Sequence, residues 1–301
     1  MGTFSKQTAS FDLAHLLVRL FYACQFVILC NAFENWLKWR EGANALTPLW
    51  PVFWVNDLGI ARSAGLVVIL YTVGLTAAAV FPGNRLCRMG AFVGLFLYSA
   101  FDNSFGKIGH GLHAWIYVAF VLVFLPDGLR KEIASRRISR QKYLSVFLAA
   151  QAMVLMLYSL SGFWKFSAGV VQALAGEAGA FSLHGFAYQV ADRLLQTGSE
   201  SLLGPLLILN PWIGCIFLLL GIYFELFALT VLPRPSLHPV WGLALIGMHL
   251  GSALILTVSF LPNILLLGIL LVGSPFAPAN VALRRVLFDL PPFALLNRSK
   301  H

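Results

Sequence analysis

Runs of apolar residues recur along the whole chain and are separated by shorter polar or charged stretches. Apolar runs of about 18 or more residues predict helices that cross a membrane, because a hydrocarbon core roughly 30 Å thick needs about 20 helical residues. The pattern predicts an all-α, polytopic integral membrane protein with about eight transmembrane helices. The predicted spans are residues 12 to 33, 60 to 81, 86 to 104, 109 to 126, 143 to 163, 211 to 232, 239 to 258 and 261 to 274.

Two connections between the predicted spans are long. The first, residues 34 to 59, is rich in Trp and Pro. The second, residues 164 to 210, contains HGFAYQVADRLLQTG, in which Phe186, Val190 and Leu194 recur at helical spacing among polar residues. We therefore expect a horizontal amphipathic helix at the interface of the outer face. No internal repeat or soluble segment stands out, so the sequence predicts a single transmembrane domain over residues 1 to 301.

Composition supports a membrane protein and changes the meaning of the net charge. The chain is 59% hydrophobic and 11% charged, and its formal net charge is +9. In a membrane protein basic residues first report topology, so this charge does not indicate nucleic-acid binding. The four cysteines form no CxxC pair and have no metal-ligand spacing, so we interpret them as buried thiols and predict no metal site.

The distribution of Lys and Arg predicts the orientation. The connection DGLRKEIASRRISRQK, residues 127 to 142, carries six basic residues and is predicted to be cytoplasmic. Alternating outward from it places both termini in the cytoplasm of a multi-pass protein of the inner membrane. Most tryptophans then fall near the outer face, where an indole ring can bury itself and keep its N–H hydrated. The basic residues predicted outside are Lys38, Arg40, Arg62, Lys107, Lys165 and Arg193.

Three polar residues inside the predicted spans call for partners, because an unpaired charge in hydrocarbon costs a few kcal/mol. Arg19 lies about 10 Å above the inner end of its span, and Glu225 lies about 20 Å below the outer end of its own. In a core roughly 30 Å thick these are the same level, so we predict a structural ion pair between Arg19 and Glu225. His249, at a similar level, is expected to extend this network.

Lys165 ends the predicted fifth span within the stretch YSLSGFWKFSAG. One interpretation is an interfacial lysine that extends its ammonium toward water. The other rests on the pattern Tyr158-x-x-Ser161-Gly162-x-x-Lys165, whose polar members share one helix face while the glycine permits close backbone approach. An ammonium held among aromatic rings with little water gives up its proton more easily, so Lys165 is a candidate base.

His110 and His113 stand at the outer start of the predicted fourth span. Their spacing of three places both rings on one helix face, so both can face a cavity in the outer leaflet. A metal held by this pair, or a haem between His113 and His249, has no supporting motif in the sequence.

The lysine motif, together with YFELF at 223 to 227 and HLGSALILTVSFLPNILLLGILLV at 249 to 272, resembles the horizontally transferred transmembrane domain (HTTM) family, which includes the vitamin K-dependent gamma-glutamyl carboxylase. The resemblance extends over residues 10 to 275. It implies that Lys165 is a base that deprotonates a hydroquinone on the outer face. It also implies a histidine before the fourth span, for which His113 and His110 are the candidates. A similarity to DoxX-type, quinone-linked membrane proteins indicates the same kind of cavity.

The chain departs from the carboxylase pattern at Phe166, where Leu is usual, and it has no Trp between Trp164 and Trp212. It is also expected to lack the soluble region that binds the glutamate-bearing peptide. Two hypotheses follow. In the first, the protein holds a quinone or lipid and serves as a subunit or maturation partner, docking a membrane or periplasmic protein through residues 34 to 59. In the second, it is a quinol-dependent enzyme. The candidate catalytic residues are Lys165 and His113, and the candidate cofactor-binding residues are Tyr158, Ser161, Trp164, His110 and His249.

Overall fold

The computed structural model describes residues 2–106, 108–177, 179–280 and 283–291, with side chains except at 2–9, 32–34, 37 and 43. Helices connected by turns and loops make up the fold, and no strand occurs within these ranges. The all-α prediction is therefore confirmed. The chain folds as two compact units, the first ending at Met153 and the second beginning at Val154. The single transmembrane domain stays a prediction.

The first unit contains six helices and the start of a seventh, which passes the boundary between the units. They are α1 (Gly2–Glu41), α2 (Val55–Leu58), α3 (Ile60–Val80), α4 (Arg85–Asp102), α5 (His113–Leu122), α6 (Arg130–Ser135) and α7 (Arg137–Leu174).

The second unit contains the end of α7 and a series of shorter helices. They are α8 (Gly185–Thr197), α9 (Gly204–Leu209), α10 (Pro211–Leu226), α11 (His238–Leu256), α12 (Leu261–Leu267), which continues as a π-helical turn over Gly268–Val272, and α13 (Leu283–Asp289).

Among the residues that the structure describes, four helices are long and apolar enough to cross a membrane: Ser10–Asn31 within α1, all of α3, α7, and Pro235–Leu256, which contains α11. The other predicted spans fall on shorter helices. At a rise of about 1.5 Å per residue, the ten residues of α5 cover about 15 Å. Helix length and composition therefore establish four candidate spans, and the count of eight stays a prediction.

Two of the long helices extend well beyond the predicted ends of their spans. Helix α1 continues through Glu41, into the connection that was predicted to begin at residue 34. Helix α7 continues to Leu174, so Lys165 lies inside it rather than at its end. No proline follows Lys165 before the left-handed backbone of Gly176, where φ is 72°. A helix whose backbone bonds are satisfied internally has no reason to stop at the hydrocarbon boundary.

Helices α3 and α4 form a tight hairpin in the first unit, because glycines remove side chains from their contact. A Cβ added to Gly74 would lie 2.4 Å from the carbonyl oxygen of Gly90, and one added to Gly94 would lie 2.6 Å from the Cα of Tyr71. Both distances are shorter than any normal Cβ contact, so the two backbones meet only because these positions carry no side chain.

Arg88 lies in the first turn of α4. Its side chain is fully buried and fixes the loops at one end of the α3–α4 hairpin. The guanidinium donates to the carbonyl oxygens of Pro82, Val123 and Leu125, and it forms a 3.1 Å ion pair with Asp127. Five donors in a rigid fork suit this role, because they satisfy several carbonyls that loops leave unpaired.

Helix α8 is the helix expected between residues 164 and 210. Phe186 and Val190 are buried, and Leu194 packs beside them, on a cluster that also holds Leu207 and Ile255. The helical spacing of the first three residues is thus explained by a shared core in the second unit.

Candidate functional site

The second unit contains a polar cluster built on one face of α7. Tyr158, Ser161 and Lys165 follow one another at spacings of three and four, which places their side chains on the same side of the helix. Gly162 brings a second helix against this face. A Cβ added there would lie 2.3 Å from the backbone nitrogen of Leu226 and 2.7 Å from the carbonyl carbon of Glu225. The close backbone approach expected at Gly162 is confirmed, and it delivers Glu225 to the cluster.

Lys165 and Glu225 form the central ion pair. The Lys165 Nζ donates to both carboxylate oxygens, at 2.6 and 2.7 Å. Ser161 lies one turn before Lys165 on the same face of α7. The Glu225 side chain is 4% exposed, whereas that of Lys165 is 47% exposed. The carboxylate is therefore the buried partner, and the ammonium connects it to the surface of the unit.

This pair corrects the predicted partner of Glu225. The sequence assigned Arg19 to it from depth alone, but the carboxylate takes Lys165 as its cation. Arg19 belongs to the first unit, where it lines a cavity together with His15. Depth along a span gives one coordinate and says nothing about which helices are neighbours. A lysine placed at the interface can also extend its long side chain several ångströms along the helix to reach a buried acid.

Tyr158 and His249 form a second polar pair. The Tyr158 hydroxyl lies 2.6 Å from His249 Nε2, and the histidine ring packs 4.9 Å from that of Phe260. His249 is 6% exposed. The phenol interacts with the charge of Glu225 and the imidazole with that of Lys165, so the two pairs form one electrostatic group. His249 was expected near Glu225, and it contacts the cluster through the first tyrosine of the motif.

Ser159 also connects α7 to the end of α10, a role that the sequence analysis did not assign. Its hydroxyl donates to the carbonyl oxygen of Leu226 at 3.1 Å and accepts from the backbone N–H of Leu229 at 2.8 Å. Backbone groups at a helix end lack partners within the helix, so a serine on the facing helix satisfies two of them. Its place next to Tyr158 in the sequence is the one feature that could have indicated this role.

Trp164, predicted to contact a quinone, lies on the surface of α7. Its side chain is 75% exposed, next to Phe163 at 59% and Phe166 at 43%. These exposed rings flank the half-exposed Lys165 in the sequence of α7. We call Phe163, Trp164 and Phe166 the aromatic surface.

His110 and His113 lie in the first unit, at the start of α5. Helix α5 begins only at His113, so the two residues do not share one helix as expected, but their ring centroids are 4.9 Å apart in an edge-to-face arrangement, with His110 exposed and His113 half-buried. Over the described ranges, no group of three His, Cys, Asp or Glu residues comes together around them or elsewhere. The assignment of His113 to the same reaction as Lys165 stays a prediction.

A second buried polar group, in the first unit, was missed by the sequence analysis. Asp102 ends α4 and accepts a 2.9 Å hydrogen bond from Trp39 Nε1 and a 3.4 Å bond from Asn35. Asn35 also donates to Tyr98 at 3.4 Å. Trp39 is 3% exposed. Asp102 lies inside the predicted span 86 to 104 and was not singled out there, although the spacing of Asn35 and Trp39 indicates one helix face.

The cluster on α7 can hold and exchange protons. A primary amine, a carboxylate, a phenol and an imidazole are all groups that accept or donate protons, and here they form two short hydrogen-bonded pairs. When the carboxylate takes the proton, the ammonium becomes a free amine, so the couple can accept a proton from a molecule that reaches the exposed side of Lys165.

Comparison of the chain with family models, with curated proteins and with solved structures found no match. The resemblance to the HTTM family therefore rests on the motifs quoted above, and the functional argument rests on the residues themselves.

Proposed function

We propose that this chain is an HTTM-like membrane protein that holds a quinone or another flat lipid beside Lys165 and serves as a subunit or maturation partner of a membrane complex. The observation that carries the proposal is the half-exposed Lys165, which is anchored on the buried Glu225 and flanked by the aromatic surface. An ammonium can donate a hydrogen bond to a quinone oxygen, and exposed rings can stack on a flat head group.

The proposal includes the full topology predicted from the sequence. About eight spans would cross the inner membrane, with both termini in the cytoplasm and Lys165 in the outer half. The four candidate spans and the distribution of Lys and Arg support it. The shorter helices α5, α10 and α12 are apolar and would cross with the help of the segments that flank them. Helix α8, with its apolar side on the core of the unit, would lie along the outer interface.

The connection over residues 34 to 59 is the proposed docking segment for a membrane or periplasmic protein. Trp50 is 71% exposed and Phe53 is 58% exposed. The segment is also held firmly, since the backbone of Thr47 and that of Leu49 both donate to Ser104 at the end of α4. Exposed aromatic side chains on a fixed backbone are typical of binding hot spots.

Purification in mild detergent, followed by mass spectrometry of the extracted lipids, tests the quinone proposal. We expect quinone to accompany the wild-type protein at near-stoichiometric amounts and to fall in Trp164→Ala, which changes an exposed residue and leaves the ion pair intact. Trp212→Ala is the matched control, because Trp212 is also exposed, at 56%, and lies on α10. Quinone at the same trace level in all three samples would contradict the proposal.

A second function is favoured by one specific observation, the contact of Lys165 Nζ with both oxygens of Glu225. This couple could accept the proton of a quinol, so that Lys165 acts as the base of a quinol-dependent enzyme, with His113 as a further catalytic group from the resemblance. Quinol oxidation by the purified protein would decide between the functions. Activity that is abolished by Lys165→Arg, which keeps the ion pair but lacks a free amine, would favour the enzyme. Loss of a co-purified partner after Trp50→Ala, with no oxidation in any sample, would favour the subunit.

A further inference from the structure

A cavity of about 1000 Å³ opens in the first unit, and none of the residues assigned to quinone chemistry lines it. Its walls come from three parts of the chain: the start of α1, the turn between α3 and α4, and the segment that leads into α6. The last of these is the basic connection that the sequence predicts to be cytoplasmic. The cavity therefore belongs to the end of the unit that should face the inner leaflet. Its volume is at the upper end of the range usual for sites of small molecules.

The acidic residues of the cavity are already engaged. Asp12 accepts two bonds from the Arg130 guanidinium, at 2.7 and 3.2 Å. Asp127 accepts from the buried Arg88 at 3.1 Å. Glu132 accepts from the backbone N–H of Leu129 at the start of α6. These carboxylates are neutralised or hydrogen-bonded by protein groups.

Two arginines of the cavity have no such acid. Arg19 and Arg85 both line it and both are exposed. Within the described ranges and their side chains, neither forms an ion pair. The guanidinium of Arg85 lies 5.6 Å from the ring centroid of Phe124, which leaves its N–H donors available. The cavity thus presents two unneutralised guanidinium groups.

The position of Arg19 identifies the kind of anion. It lies inside the apolar segment Ser10–Asn31, between Leu16, which is 52% exposed, and Leu20, which is 41% exposed. These leucines place Arg19 on the side of α1 that would face lipid. An unpaired arginine there costs about 3 kcal/mol or more unless it extends to a phosphate at the headgroup level. Asp12 lies seven residues before Arg19, about 10 Å closer to the start of α1. We take its exposed ion pair with Arg130 to mark the level of the headgroups.

We propose that this cavity binds the phosphate of an anionic phospholipid from the inner leaflet. Arg19 and Arg85 would contact the phosphate, and an acyl chain would lie along Leu16 and Leu86, of which Leu86 is 76% exposed. Guanidinium groups suit this ligand, because their planar forks match phosphate oxygens. Basic pockets between helices on the cytoplasmic side are a recurrent form of headgroup recognition. The shared chemistry is a phosphate group, which a soluble phosphate could also supply.

The test compares lipid binding by the full-length protein in nanodiscs that contain phosphatidylcholine with increasing fractions of phosphatidylglycerol. Native mass spectrometry would count the retained phosphatidylglycerol. We expect saturable binding to the wild type, and an apparent dissociation constant raised by at least about tenfold in Arg19→Gln/Arg85→Gln, since each arginine contributes a charge-assisted contact. Arg137→Gln is the matched control, because Arg137 is an exposed arginine of the same basic connection outside the cavity.

Two outcomes would overturn the proposal. One is equal retention of phosphatidylcholine and phosphatidylglycerol by the wild type. The other is an equal loss in Arg137→Gln and in the double variant, which would indicate general attraction to a charged surface. A separate arm adds inorganic phosphate: displacement of phosphatidylglycerol at low millimolar phosphate would assign the site to a soluble phosphate instead. Because both arginines are exposed, the variants should fold, and the single variant Arg19→Gln, with an intermediate loss, provides a second measurement.

Discussion

The ion pair on α7 predicts an unequal response to the removal of its two partners. Lys165→Met leaves Glu225 without its cation, whereas Glu225→Gln leaves an ammonium that can turn outward. We therefore expect the lysine variant to be the less stable of the two. The double variant Lys165→Met/Glu225→Gln should recover most of the loss, because it places two neutral side chains together.

The magnitudes follow from the exposures. Removing one partner of a buried ion pair lowers the free energy of unfolding by about 3–5 kcal/mol. The 4% exposure of Glu225 places Lys165→Met in that range. We expect the lower end, about 3 kcal/mol, because the 47% exposure of Lys165 shows that the pair lies near the surface of the unit. The released ammonium in Glu225→Gln reaches water or headgroups, so this change should cost about 1 kcal/mol. The double variant should then cost about 1 kcal/mol instead of the roughly 4 kcal/mol expected for additive effects, which is a coupling energy of about 3 kcal/mol between two residues in contact.

Unfolding by sodium dodecyl sulfate in mixed micelles, followed by far-ultraviolet circular dichroism, would measure these differences. Lys142→Met is the matched control, since Lys142 is an exposed lysine on the same helix, and it should change stability little. The reasoning would be refuted by additive effects in the double variant, or by a glutamate variant as unstable as the lysine variant.

Three further predictions concern the packing around this pair and in the first unit. Gly162→Ala should strongly lower the midpoint of thermal unfolding in detergent, because the new Cβ would lie 2.3 Å from the backbone nitrogen of Leu226. Gly247→Ala is the control and should be tolerated, because a Cβ there has no atom within 4 Å; equal midpoints for the two variants would contradict the close contact at Gly162. Arg88→Met should lower the free energy of unfolding by about 3 kcal/mol or more in the detergent unfolding assay, because buried carbonyl oxygens lose their donors. A decrease of less than about 1 kcal/mol would count against the buried network. Tyr158→Phe should cost about 1 kcal/mol by losing its 2.6 Å hydrogen bond, and a stability equal to wild type would argue that the bond does not form.

The sequence predicted the helical class, the segments of the longest apolar helices and the shared face of the α7 motif, because hydrophobic periodicity and helical spacing are local properties. Gly162 is the best example. Its place between Ser161 and Lys165 on the polar face of the motif led us to expect a neighbouring backbone, since small residues allow helices to approach closely. The structure identifies that neighbour as α10.

The partners could not be predicted in the same way, because they depend on which helices meet. Glu225 was recognised as an acid that needs a cation, but depth alone favoured Arg19 over Lys165. The burial of Arg88 was not predicted, because a basic residue near the end of a span is first interpreted as a topology signal. Its burial is explained by loop carbonyls from residues 123 and 125, which are distant in sequence. Helix ends were also misplaced, since the hydrocarbon boundary does not stop a helix.

Site mapping with a photoreactive azidoquinone tests the central claim most directly, namely that a quinone or flat lipid is held beside Lys165. The full-length protein would be labelled in nanodiscs, digested, and analysed by peptide mass spectrometry. The account predicts label on the α7 peptide that contains Phe163, Trp164 and Phe166, competed away by excess unlabelled quinone. Label that is confined to other helices, or that excess quinone does not reduce, would contradict it.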